Sequence, residues 1–381
     1  MTPPNPLRIL HVGNMLLDKP IARLRSDRVE HRREEMREVF FRLMNLIEQQ
    51  QVSLVLITGN LFDLDYLTND TVSFLVRCFR EHHDTVFVIA PGPSDPFSET
   101  SVYRSGRFPQ NVHILNEEVL SEIDLPDLGV TVYGWAFLGK EHRFSPIKNR
   151  HVRSLARFNI LMGYGVSEEI SDSLCPVERE DVAAFGAHYA ALSGRGVFEG
   201  FERVGSSLVA YSGKPECTSF SDVQAGGVNL IQAVPHEDGA WQIAAKRVET
   251  GSYRYAEEVL DISHLSVNED VIARILARIA EAGYDEKTAL RVCLRGTVPL
   301  ETAYYLLETA ADYGVYAIEI LDETVPTDGT EFLLREMSAR GELYRHLYPA
   351  MTEGTPESRA RAAGVFRLGY AALMGKDTLK I

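Results

Sequence analysis

Cysteine is scarce: four residues in 381, Cys78, Cys175, Cys217 and Cys293. They form no Cys-x-x-Cys pair and no dense framework, which excludes a disulfide scaffold and suits reduced thiols in the cytosol. Long apolar runs are missing as well. None approaches the roughly 20 residues that a membrane span needs, so no membrane segment is expected. The first residues, MTPPNP, lack a basic region followed by an apolar core, so no secretion signal is expected either. The reading is a cytoplasmic protein.

Positive charge is also short. Lys and Arg number 39 against 54 Asp and Glu, a net charge of −15. That balance argues against a chain that binds nucleic acid alone through phosphate contacts, which needs clustered bases. The Arg-rich stretch Arg23–Arg37 interleaves acids with its bases and reads as a solvated helix face.

What remains is a globular composition, 45% hydrophobic and 24% charged, in a chain long enough for a main domain with appendages. The organising stretch is Leu54–Asp63, LVLITGNLFD. An apolar β-branched run too short for a typical helix stops at Thr58-Gly59-Asn60, which reads as a strand buried on both faces and ending in a tight turn. Leu7–Val12 (LRILHV) before Gly13-Asn14, and Val86–Ala90 (VFVIA) before Pro91–Pro96, have the same form. Between them, Arg25–Gln50 and Asn69–His82 carry apolar residues at helical spacing, so the expectation is a layered α/β domain with crossover helices. In such sheets chemistry sits at the C-terminal strand ends.

Those three turns, LRILHVGNMLL, LITGNLFD and APGPSDP, resemble the first three motifs of the calcineurin-like metallophosphoesterases, specifically the SbcD/YhaO-type DNA-repair exonucleases. The resemblance runs on through Phe158–Gly165 (FNILMGYG), Cys175–Ala191, Leu192–Gly196 (LSGRG), Tyr211-Ser212-Gly213 and Gly226–Leu230, about residues 7–250. It implies a four-layer α/β/β/α sandwich, two Mn ions, an SMC-like ATPase partner of the SbcC/YhaN kind, and DNA reached through that complex, with a homodimer left open. The frame is kept and the ligand set is not. Where the resemblance implies metal ligands or a proton donor, this chain has Asn14, Leu16, Asn60, Pro93, Ser94, Tyr164, Gly194 and Gly196.

Two divalent cations require anionic or imidazole ligands, so no metal is expected, and the reading is a catalytically inactive binding or scaffolding subunit in DNA processing. The competing reading is a metal-dependent phosphoesterase or DNA exonuclease with an altered site using Asp63, Asp95, His11 or His188. By their neighbours, Asp63 and Asp95 read first as turn caps and the two histidines as core residues.

After residue 252 comes a second βαβαβ pattern: strands at Ala256–Ile262, Ala289–Thr297 and Val315–Leu321, helices at Asn268–Gly283 and Leu300–Tyr313. Helices at Glu331–His346 and Glu357–Gly375 follow, with Phe332, Leu333, Met337, Val365, Leu368 and Leu373 available for packing. Two such helices are expected to bury their stripe on the main domain or on a partner. The expected divisions are 1–252 metallophosphoesterase-like, 253–325 a small capping-type domain, and 326–381 helical.

Overall fold

Leu7–Val12 forms β1, and its side chains split by parity. Leu10 and Val12 join one buried cluster, Leu7 and Ile9 another. The same split divides Val55 and Ile57 from Leu54 and Leu56 on β2 (Leu54–Ile57), and Phe87 and Ile89 from Val88 on β3 (Val86–Ile89). Both faces are covered, which is why these runs are continuously apolar.

The computed structural model describes residues 6–19, 29–166, 174–194, 200–220, 222, 225–236, 240–263, 265, 268–298, 310–326, 330–353 and 355–373. They divide into two units, Met1–Tyr253 and Arg254–Ile381.

In the first unit, α1 (Val29–Gln50) and α2 (Asn69–Glu81) link β1, β2 and β3, which pair in parallel with one another and then with β4 (Val112–Ile114). The predicted start of the first helix lies outside the described residues. Met36, Val39, Phe40, Leu43 and Ile47 of α1, with Leu75 and Phe79 of α2, pack on the first cluster. Thr68 starts α2, its hydroxyl accepting from Thr71 N at 3.2 Å.

A second sheet comprises β5 (Ser121–Leu125), β6 (Val130–Gly134), β7 (Phe158–Tyr164), β8 (Tyr189–Ser193), β9 (Glu202–Val204) and β10 (Ser207–Tyr211), in the order β5-β6-β7-β8-β10-β9, with α3 (Arg179–Phe185) between β7 and β8. β11 (Gly227–Pro235) returns to the first sheet antiparallel to β1, and β12 (Trp241–Glu249) follows it. The two sheets share one buried cluster: Ile9, Leu56 and Val88 from the first with Val132, Ile160, Met162, Tyr189 and Ala191 from the second. The second sheet's other face packs Trp135, Leu161 and Ala190 with Val182 and Phe185 of α3. The fold is mixed α/β.

In the second unit, β13 (Arg254–Asp261), β14 (Thr288–Arg295) and β16 (Ala317–Asp322) form a parallel three-stranded sheet. Val271, Ile275 and Ile279 of α4 (Asn268–Ala282) pack on Leu260, Leu290, Val292 and Leu294. β15 (Thr297–Val298) and β17 (Val325–Pro326) pair beside it. Most of the helix predicted at Leu300–Tyr313 lies outside the described residues; Ala310–Tyr313 is a 3-10 turn.

The helix predicted at Glu331–His346 is two, α5 (Thr330–Arg335) and α6 (Ala339–Thr352). Ser338 breaks it, standing as N-cap with its hydroxyl accepting from Gly341 N at 3.3 Å. The break re-sorts the apolar residues. Of the six expected to pack, Leu333 alone is buried; Phe332, Met337, Val365, Leu368 and Leu373 are exposed. α6 and α7 (Pro356–Leu373) instead bury Tyr344, Met351, Ala362, Ala363, Phe366 and Tyr370 around Leu333, so these helices make a small core of their own, contrary to expectation. Among the described residues no helix is long and apolar enough to cross a membrane.

Candidate functional site

The C-terminal ends of β1, β2 and β3 meet through backbone bonds. Asn14 N donates to Gly59 O at 3.0 Å, Leu16 N to Asn60 O at 2.8 Å, and Asp63 N to Leu17 O at 3.0 Å. Asn14, Leu16, Asp18 and Asn60 all adopt positive φ, between 52° and 63°, a region that Asn and Asp tolerate better than branched residues. Gly92 is required by closeness, since a Cβ there would meet Asn60 Oδ1 at 2.8 Å.

Upon this frame the side chains make a neutral chain of hydrogen bonds. Asn60 Nδ2 donates to Asn14 Oδ1 at 3.0 Å, Ser94 N donates to Asn60 Oδ1 at 2.9 Å, and Asn14 Nδ2 donates to Gly213 O at 3.3 Å. Both amides are buried. From Gly213 the chain runs on through three hydroxyls. Ser212 Oγ donates to Gly213 O at 3.0 Å, Ser212 and Ser193 hydroxyls lie 2.7 Å apart, and Ser193 and Thr58 hydroxyls 2.6 Å apart. Gly13 leaves room for them: a Cβ there would lie 2.0 Å from Ser193 Oγ and 2.4 Å from Ser212 Oγ.

His11 closes this seam. Its Nε2 lies 3.0 Å from Thr58 Oγ1 and its Nδ1 2.8 Å from the Tyr189 hydroxyl. Thr58 Oγ1 is also placed to donate to Val12 O at 3.2 Å, which suits the tautomer with hydrogen on Nε2. Burial, and then the Arg247 guanidinium, lower the His11 pKa to about 3, so the imidazole is neutral. Arg247 donates to Asn229 Oδ1 at 2.9 Å and to Ser212 O.

Asp95 is fully buried and accepts four donors: Asn60 N at 2.8 Å, Leu61 N at 2.8 Å, Gly92 N at 2.7 Å and the Tyr103 hydroxyl at 2.7 Å. Burial pushes its pKa up to about 6, against the lowering effect of those bonds. Asp63 Oδ1 accepts from Asp65 N at 3.2 Å, and Lys19 Nζ lies 3.8 Å from Asp63 Oδ2. Asp18, buried beside them, accepts from Thr68 N at 2.9 Å and the Thr68 hydroxyl at 3.1 Å.

The remaining positions follow. Pro93 and Ser94 are half-buried, and so is Leu16, whose neighbours Met15 and Leu17 enter the core instead. Tyr164 packs edge-on to Phe137, and burial holds its phenol above the ordinary value, partly offset by its hydrogen bond with Asn60. Gly194, at φ 129°, is closed over by backbone: a Cβ would meet Gly165 O at 2.6 Å, so an imidazole could not stand there without a shift. Gly196 lies outside the described residues. His188 precedes β8, at the far end of that strand from Ser193, where its Nδ1 accepts from Asn159 N at 2.9 Å and its ring stacks on Phe158. The geometry therefore brings His11, Asn14, Asn60, Ser94, Asp95 and Tyr164 to one edge and leaves His188 out.

Two divalent cations do not fit the donors present at the described positions. The amides are bonded to one another, the hydroxyls to one another, and the one fully buried carboxylate to four donors. Among the described residues no three His, Cys, Asp or Glu side chains converge as a metal set. Thr58, Ser193, Ser212 and Asn229 lie within the motifs read from sequence but were not assigned to the site, and Arg247 was not noted, because their partners lie far away in the chain.

One histidine of another kind sits near this edge. His142 is 2% exposed, packs on Phe137 and Phe144, and has no hydrogen-bond partner on either ring nitrogen.

A mixed α/β unit with an uncharged polar seam across its strand ends is thus the class of site present. No family model and no curated protein matches the chain. Among solved structures, TT1561 of Thermus thermophilus is similar at 15% identity and a TM-score of 0.36, over 63% of this chain and 99% of that one. Vps29 of Chaetomium thermophilum is similar at 14% identity and a TM-score of 0.27, over 64% and 97%.

Proposed function

We propose that this chain is a catalytically inactive member of the calcineurin-like metallophosphoesterase superfamily, of SbcD/YhaO type, with the first unit as the four-layer α/β/β/α sandwich. It serves as a binding or scaffolding subunit of a DNA-processing complex, beside an SMC-like ATPase of the SbcC/YhaN kind, and meets DNA through that assembly. The observation that carries the reading is the seam from Ser94 through Asn60 and Asn14 to Gly213 and on to His11. It puts neutral, mutually satisfied groups at the strand ends, where phosphate cleavage by two metals needs charged ligands. The motif frame of residues 7–250 supports the superfamily, and the lost ligand types support inactivity.

The test is hydrolysis of bis-p-nitrophenyl phosphate and of DNA ends with millimolar manganese or magnesium. The expected result is no turnover above buffer, together with a melting temperature unchanged by EDTA, since bound metal would add RT ln(1 + [L]/Kd) to stability. Activity that follows the protein through several columns and vanishes in Asp63→Ala would establish the altered-site phosphoesterase instead.

A further inference from the structure

Residues 142–167 hold five Lys or Arg, namely Arg143, Lys148, Arg150, Arg153 and Arg157, and no Asp or Glu. In a chain of net charge −15 that reverses the general balance. It also differs from Arg23–Arg37, whose bases are interleaved with acids. A run of bases without acids to neutralise it makes a local positive field.

The backbone of this run is fixed against the second sheet. Ile147 is fully buried and belongs to the cluster of Trp135, Leu161 and Phe185 on that sheet's outer face. Arg150 N donates to Ile147 O at 3.0 Å, closing a turn with Asn149 at φ 60° in its third position, where Asn is tolerated. Val152 N then donates to Phe185 O at 3.0 Å, and Arg153 N to the Tyr133 hydroxyl at 3.2 Å. The turn thus presents Lys148, Arg150 and His151 to solvent, and their side chains have no hydrogen bond or ion pair among the described residues. Further along, Arg153 pairs with Glu122 at 2.5 Å and Arg157 with Asp124, both acids standing on the edge strand β5. Surface pairs of this kind contribute little and exchange readily.

We propose that residues 148–157 form a surface for the phosphates of a nucleic-acid backbone, bound without regard to base sequence. Lys148 and Arg150 supply the free charges, and Arg153 and Arg157 extend the row. A guanidinium fork meets a phosphate through two parallel bonds, and bases carried on a backbone already fixed lose less freedom on binding. The surface lies on the outer face of the second sheet and not on the polar seam. The proposal rests on the reading above in taking nucleic acid as the polyanion. The chain's negative charge keeps the contact weak by itself and steeply dependent on salt.

The experiment titrates the full chain, in EDTA, into a fluorescein-labelled DNA duplex of about 30 base pairs at about 50 to 200 mM sodium chloride, reading anisotropy. The expected result is binding that is indifferent to sequence and weakens linearly in log salt. Lys148→Ala combined with Arg150→Ala should weaken it about tenfold at the lower salt and flatten the slope by about 2, at an unchanged melting temperature. Lys246→Ala, an exposed base on β12, should change neither. Absence of binding at the lower salt, a double variant that binds as the wild type does, or equal competition by poly-glutamate, which would assign the loop to an acidic protein, overturns the proposal. Turnover plays no part with metal chelated, so hydrolysis in the assay above would sink the inactive reading and leave this surface standing.

Discussion

Asp95 holds together turns that the sequence places 35 residues apart, and its removal should be among the most damaging single changes in the first unit. Asp95→Ala strands three backbone N–H groups and the Tyr103 hydroxyl in a dry site; at 1–3 kcal/mol for each unmet donor, partly relieved by relaxation, the expected loss is about 4 kcal/mol by urea unfolding. Tyr103→Phe removes one donor and leaves the carboxylate with three, so about 1 kcal/mol is expected. Equal losses would mean that the phenol, not the backbone, is what Asp95 serves. His142 offers the opposite case. Burial holds its imidazole down at about 4 against 6.5, so the unfolded chain takes up a proton that the folded chain refuses. Its contribution is full above pH 6.5 and is lost as pH falls toward 4. His11, lowered to about 3, adds to the same acid loss. Asp95, raised to about 6, runs the other way, its contribution present below its ordinary range and lost as pH rises through 6. His142→Leu removes one of the lowered histidines, which also include His113 and His188, and an unmet polar group, so its melting temperature should rise at pH 7.5 and fall less than the wild type's between pH 7.5 and 5.0. A variant with the wild-type slope would show that His142 is satisfied in solution.

At the scale of elements, the parts legible from sequence were those whose pattern is local. β1, β2 and β3 announce themselves because both faces are buried and the runs are apolar throughout. α2 announces itself by the 3.6-residue stripe of Val72, Leu75, Val76 and Phe79. β5 (SEIDL) and β12 (WQIAAKRVE) were not read as strands: they are edge strands of their sheets, with alternating exposure. The α5–α6 break was missed for a different reason, since apolar spacing runs across Ser338 and the cap alone interrupts it. At the strand ends, Asn14 and Asn60 could be placed from their turns, whereas the Thr58–Ser193–Ser212 seam joins residues 135 and 19 apart in the chain and leaves no local trace. α7 supplies an element-scale test. A Cβ at Gly364 meets nothing within 4 Å, so Gly364→Ala should stabilise the second unit by about 0.5–1 kcal/mol through helix propensity. At Gly369 the same atom would meet Leu343 Cδ2 at 2.6 Å, which offsets the gain, so Gly369→Ala should come out neutral or unfavourable. Parallel thermal melts read both, and two equal gains would show that the α6–α7 contact is loose enough to yield.

For the whole molecule, the exposed face of the terminal helices is where the proposed association is to be tested. α6 and α7 bury Phe366, Tyr344 and Tyr370 between themselves, yet Val365, Leu368 and Leu373 remain 48%, 51% and 49% exposed along α7. An apolar stripe at helical spacing is suited to packing against another helix, and the proposed SMC-like ATPase would supply one from its coiled coil. Deleting everything from Glu331 onward should leave the first unit folded and abolish association with that ATPase, but the deletion also removes a small core and so tests two things together. Val365→Glu combined with Leu368→Glu separates them, because both side chains lie on the exposed face and their replacement should leave the helical circular dichroism and the Phe366 core unchanged. The expected outcome is loss of co-purification with the ATPase of at least tenfold in the double variant, at an unchanged melting temperature. Unchanged co-purification by both the deletion and the double variant would place any such partner on another surface, and a lowered melting temperature in the double variant would assign the stripe to packing within this chain.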